Sequence, residues 1–80
     1  MGETLETGIS VYPNPFTDEL HLTGAEGCTL TVTTESGVTV HTQRVIHADE
    51  TLHLEKLPAG MYLFHLEKRN KTKTVKAVKN

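Results

Sequence analysis

Apolar and polar residues alternate one for one through most of this chain, and a polypeptide with that period has little choice but to form half-buried strands. Leu20 and Leu22 flank His21; Cys28, Leu30 and Val32 are spaced by Thr29 and Thr31; Val38 and Val40 flank Thr39. Leu52 and Leu54 flank His53, and Tyr62, Phe64 and Leu66 are spaced by Leu63 and His65. Successive side chains of an extended chain point to opposite faces, so each run has one apolar and one polar face. The abundant threonines fit the same picture, because β-branched side chains suit a pleated surface. No window carries the 3.6-residue repeat of a helix.

Turn signals separate the runs: Gly24-Ala25-Glu26-Gly27, Glu35-Ser36-Gly37, Ala48-Asp49-Glu50, Pro58-Ala59-Gly60 and Arg69-Asn70-Lys71. Seven short strands result, near 8–12, 18–23, 28–34, 38–45, 51–55, 61–68 and 72–79. The expected fold is all-β, a seven-stranded antiparallel Ig-like Greek-key β-sandwich. The third and fourth strands should form one hairpin, and the sixth and seventh another. In LPAGMY, Leu57 to Tyr62, a tyrosine follows a glycine by two residues and opens a strand. That resembles the tyrosine corner of Greek-key sandwiches, in which the phenol bonds to backbone just upstream; the plainer reading is a core aromatic at a strand start.

VYPNPF, Val11 to Phe16, ends the first strand. Pro13 and Pro15 lack a backbone donor, and each pushes its predecessor, Tyr12 or Asn14, toward extended geometry. The stretch is therefore an extended, kinked exit from a sheet edge, with Phe16 placed to anchor the bend in the core.

Size limits function. Eighty residues make one domain whose core only just offsets chain entropy, so the 36% of residues that are apolar are needed inside. Little remains to line a deep pocket, which counts against an enzyme. Cys28 is the only cysteine, so no internal disulfide or zinc–thiolate cluster exists; its parity with Leu30 and Val32 places it in the core. No apolar run is long enough for a membrane helix, and MGETLETG lacks the build of a signal peptide. Residues 1–7 are expected to be an N-terminal linker or an expression remnant, with the domain proper at 8–80.

Charge is distributed unevenly. Residues 1–67 hold all ten acids and only Arg44 and Lys56 as bases, whereas 68–80 hold six bases and no acid. A basic tail suggests a partner, although lysine on an edge strand also discourages aggregation.

Catalytic chemistry is not legible. His21, His53 and His65 fall on polar faces, His41 and His47 flank an irregular stretch, and no pair has a short chelating spacing, so no metal or other cofactor is expected. Asp18-Glu19 and Asp49-Glu50 are neighbours that point apart on an extended chain, and Ser10 and Ser36 lack a nucleophile-elbow context. Asn70-Lys71-Thr72 fits a glycosylation sequon common by chance. With Tyr62 and Phe64 inward, no stacking platform for nucleic acid is expected, and no small-molecule substrate either.

Four motifs in order, VYPNPFTDELHL at Val11–Leu22, the Gly37 turn with Val38 and Val40, LHLEKLPAGMYLFHL at Leu52–Leu66 and KTVKAVK at Lys73–Lys79, carry a family resemblance. From about Ile9 to Lys79 the chain resembles the type A C-terminal sorting domain of the type IX (Por) secretion system of Bacteroidetes. The resemblance implies a non-catalytic address at the end of a secreted cargo. It would be recognised in periplasmic transit by the outer-membrane translocon, then removed by a sortase-like peptidase at the cell surface, leaving cargo attached or released. Pro13, Asn14 and Pro15 match the opening motif, and Leu57, Gly60 and Tyr62 the central one. Lys73, Val75, Lys76, Val78 and Lys79 match the terminal one, the family's main secretion determinant and the translocon-facing candidate. The cut is expected ahead of the first strand.

On this reading the final strand is an exposed edge that offers unpaired backbone groups and lysines to a receptor, and it could also pair with itself. Whether Val75 or Val78 faces the core is open, because Ala77 interrupts the Lys-Val pattern. The alternative is an Ig-like accessory domain that binds carbohydrate or spaces other domains, which predicts exposed aromatics on one face.

Overall fold

A computed structural model describes residues 3–4, 9–69 and 71–80, and among these every regular element is a strand. The strands are β1 (Glu3–Thr4), β2 (Ser10–Tyr12), β3 (Glu19–Thr23), β4 (Thr29–Thr34), β5 (Thr39–Arg44), β6 (Asp49–His53), β7 (Gly60–Lys68) and β8 (Lys71–Lys79). They form a five-stranded sheet ordered β1-β8-β7-β4-β5 and a three-stranded sheet ordered β2-β3-β6. The chain changes sheet after β1, β3, β5 and β6, and from β2 onward this is the Greek-key path of an Ig-like sandwich. Both expected hairpins are present, β4–β5 and β7–β8, each antiparallel.

Alternation explains the core. Leu20, Leu22 and Leu52 from the smaller sheet meet Leu30, Val32, Phe64, Leu66 and Ala77 from the larger one, with Cys28, Val45 and Leu54 closing the ends. Burying each large side chain contributes about 1.5–3 kcal/mol, which is what holds so small a domain. Burial also pushes the Cys28 thiol above its ordinary range, with the Lys68 ammonium opposing.

Two boundaries differ from the reading of the sequence. β6 starts at Asp49, inside the expected turn, because Asp49 and Glu50 pair with Thr23 and Leu22 of β3. An eighth strand, β1, lies in the segment expected to be linker and pairs in parallel with Lys71 and Thr72. Two residues are too short for alternation to register. Asn70 of the sequon lies outside the described residues.

Candidate recognition surface

The turn before β7 is locked by Tyr62. Its hydroxyl donates to the Pro58 carbonyl at 2.5 Å, four residues upstream, while its ring is buried. This is the tyrosine corner that LPAGMY suggests. Gly60, at φ 153°, opens β7 in a backbone conformation that side-chain-bearing residues rarely adopt, and it pairs with Lys79 at the end of β8. Leu57 packs against the core, and its amide donates to the Leu54 carbonyl at 3.1 Å.

β8 has a definite parity. Lys73 and Val75 are half-buried, Ala77 and Lys79 are buried, and Thr72, Thr74 and Lys76 are exposed. Val75 packs against the core, whereas Val78, half-buried, has the opposite parity. Lys79 corrects its assignment as a translocon-facing charge. It is 8% exposed, and its Nζ donates to the Leu57 carbonyl at 2.7 Å and the Glu55 carbonyl at 3.4 Å. An ammonium has three donors and no acceptor, so it suits a turn whose carbonyls converge. Of the terminal lysines in the motif, Lys76 is the one whose side chain stands in solvent, with Lys73 intermediate.

A second correction concerns the outer edge of β8. Its C-terminal half is not an open ladder, because the Pro-Asn-Pro stretch lies along it. The Asn14 carboxamide donates to the Lys76 carbonyl at 3.2 Å and accepts from the Val78 amide at 3.0 Å. The Phe16 amide donates to the Val78 carbonyl at 2.8 Å, and the Phe16 carbonyl accepts from the Asn80 amide at 2.9 Å. Donation to one residue and acceptance from the residue two further on is the bonding of a parallel strand; Phe16 forms a parallel bridge to Lys79. Asn14 performs the preceding step with its side chain, a carboxamide being chemically a peptide group. Pro13 and Pro15, both preceded by cis peptide bonds, have no N–H to contribute. The Phe16 ring anchors the arrangement at 1% exposure, edge-on to Phe64 with centroids 6.1 Å apart.

The opening, central and terminal motifs, spread over Pro13 to Lys79, therefore meet at one end of the sandwich. Asn14 and Phe16 hold the outer side of β8's last turn of sequence, Gly60 pairs on its inner side, and Leu57 accepts from Lys79. The signal for this was present only in part. Parity puts Lys79 with Val75 and Ala77, but nothing local tells which backbone Asn14 will meet.

Elsewhere the polar groups are tied to one another. His65 shares hydrogen bonds with Thr33 and Thr74 across three strands, His21 with Thr51, and His41 with Gln43, while exposed His53 sits 3.4 Å from exposed Glu19. Among the described residues no three His, Cys, Asp or Glu side chains converge for a metal. An open cleft of about 390 Å³ between Arg44, Lys68 and Arg69 lies at the β7–β8 hairpin, the end away from the motifs. Of the four aromatic residues, Phe16, Tyr62 and Phe64 are buried and Tyr12 is exposed beside His21.

These features define a small Ig-like sandwich whose distinctive residues build one end of the fold. Residues 10–80 match the family model described as the secretion system C-terminal sorting domain, and the chain belongs to that family. Such domains are the C-terminal sorting signal of type IX secretion cargo, which is exported to the cell surface or the extracellular space. No curated protein matches the chain in sequence. A solved structure of PorZ, an essential bacterial surface component of the type IX secretion system of Porphyromonas gingivalis, contains a region similar in fold. It superposes with a TM-score of 0.79 at 19% identity, over 91% of this chain and 11% of that one. The chain thus spans about a ninth of PorZ's length.

Proposed function

We propose that this domain is a non-catalytic address read during periplasmic transit by the outer-membrane translocon at the end of the sandwich where the motifs meet. The observation that carries the reading is the convergence of Asn14, Phe16, Gly60, Leu57 and Lys79 on the last residues of β8. A signal carried by a fold needs a rigid display, and this one is held by backbone, side-chain and aromatic anchors together. Lys76 and Val78, which share one face of β8, are offered to the translocon, with Lys73 further along the strand on the other face as a second contact, while Val75, Lys79, Pro13, Asn14, Pro15, Leu57, Gly60 and Tyr62 shape the display. Afterwards a sortase-like peptidase cuts ahead of β2, separating the address from its cargo.

The test is a reporter fused to residues 8–80 in a host that has the system, with the secreted fraction measured. Deleting 75–80 should abolish secretion, and Lys76→Glu should reduce it while leaving the thermal midpoint unchanged. Normal secretion of the deletion would sink the reading. Loss of secretion with Lys79→Met alone, accompanied by a lowered midpoint, would assign that lysine to shape rather than contact.

A further inference from the structure

A cleft binds an anion when the fold gathers cations there and leaves them uncommitted, and the β7–β8 hairpin end has such a cleft. Arg44, Lys68 and Arg69 line it together with Gly27, Thr29 and Glu67, around a volume of about 390 Å³. Strand register explains the gathering. Arg44 is paired with Thr29, and Thr29 with Glu67, so these three stand in one row on the outer face of the larger sheet. Lys68 follows with the opposite parity and lies over Gly27. A Cβ on that glycine would sit 3.1 Å from the Lys68 Cε and 3.3 Å from its Nζ, so the missing side chain is what lets the lysine stem rest there. Arg69, in the hairpin turn, has φ 57°, a left-handed conformation that glycine or asparagine would adopt with less strain.

We propose that this cleft binds phosphate, free or as a monoester. Among the described residues, Arg44, Glu67, Lys68 and Arg69 enter no ion pair, and the Thr29 hydroxyl has no hydrogen-bond partner. Lys71, across the hairpin from Lys68, is already engaged and is not counted. Two guanidinium forks and an ammonium match the several oxygens of a tetrahedral anion. With three positive charges against one negative in the lining, a dianion is favoured over a monoanion. Glu67 narrows the choice further. A carboxylate only accepts hydrogen bonds, so it repels a bare anion and favours one that brings a proton or a hydroxyl. Phosphate at neutral pH carries a proton, and a glycerol or sugar monoester carries neighbouring hydroxyls, whereas sulfate brings neither. By volume the cleft could hold about a dozen waters, room for a phosphate with a small alcohol attached. It lies away from Asn14 and Lys79, so an occupant leaves the motif end uncovered.

The test titrates the 80-residue chain with inorganic phosphate, glycerol 3-phosphate and sulfate at neutral pH and constant ionic strength, followed by amide and guanidinium NMR shifts. Saturable shifts are expected at Gly27, Thr29, Arg44, Glu67, Lys68 and Arg69, with sulfate roughly tenfold weaker than phosphate. Tighter binding of the ester would assign the site to a phosphorylated alcohol, and the reverse order to the free ion. Arg44→Gln and Lys68→Gln, both at exposed positions, should each weaken phosphate binding roughly tenfold while the thermal midpoint holds. Lys56→Gln, exposed elsewhere, should leave binding unchanged. Should one cleft variant fold poorly, the other carries the test. Glu67→Gln should close the gap between phosphate and sulfate. Shifts that never saturate, or that spread over every lysine, would reveal charge screening and overturn the proposal. So would phosphate binding unmoved by both cleft variants, or sulfate bound as tightly as phosphate by the parent chain.

Discussion

Along β8 the outer edge meets Glu3–Thr4 at one end and Asn14 and Phe16 at the other, whereas β5, across the same sheet, meets no further strand among the described residues. β8 is rich in lysine and its ladder is occupied, while β5 is nearly uncharged and flanked by exposed valine and isoleucine. The difference shows that charge and closure are separate devices. Lysine alone would have kept β8 soluble; the Asn14–Phe16 cap additionally fixes where its last residues stand. The recognition role proposed for β8 would need that second property, because a frayed terminus presents no constant shape.

Removing the anchor of the closed edge should have the largest effect. Phe16→Ala empties a fully buried site against Phe64, and it should cost about 3–5 kcal/mol in urea denaturation, enough to unfold many molecules of so small a domain. Lys79→Met keeps the buried stem but orphans the Leu57 and Glu55 carbonyls, for an expected loss of about 1.5–3 kcal/mol. The exposed Lys76→Met should change stability by less than about 0.5 kcal/mol, and equal effects for the two lysines would break the distinction drawn between them.

Asn14→Ala should cost about 1–2 kcal/mol and, more tellingly, speed hydrogen exchange at the Val78 amide. Asn14→Asp retains an acceptor for that amide but turns a carboxylate toward the Lys76 carbonyl, so it should restore Val78 protection only in part. Unchanged exchange in both variants would mean that the carboxamide does not close the edge. An effect as small as that of Lys76→Met is expected on the open side, where Val40→Lys should stay within about 0.5 kcal/mol of the parent by thermal denaturation.

Much of this was legible before the fold was known. Alternation located the strands and most of the core, although it put Val38 and Val40 on an apolar face that the structure leaves exposed and passed over Ala25, Val45 and Ala77; LPAGMY announced the Tyr62 corner because its spacing is local. The terminal motif was legible as a strand but misread as an open edge. Lysine at position 79 looks like a solvent-facing charge, and only the carbonyls of a turn 22 and 24 residues away give it a reason to go inside. Asn14 is a harder case still, since its partners lie 62 and 64 residues along the chain.

The sequence by itself determined which faces are apolar, where the chain turns and therefore that two sheets must pack, since those preferences act over a few neighbouring residues. Tertiary structure decided which sheet edge is closed and which is open. An edge is closed only when donors and acceptors from a distant segment arrive in register with it, and that arrival depends on the path of the whole chain.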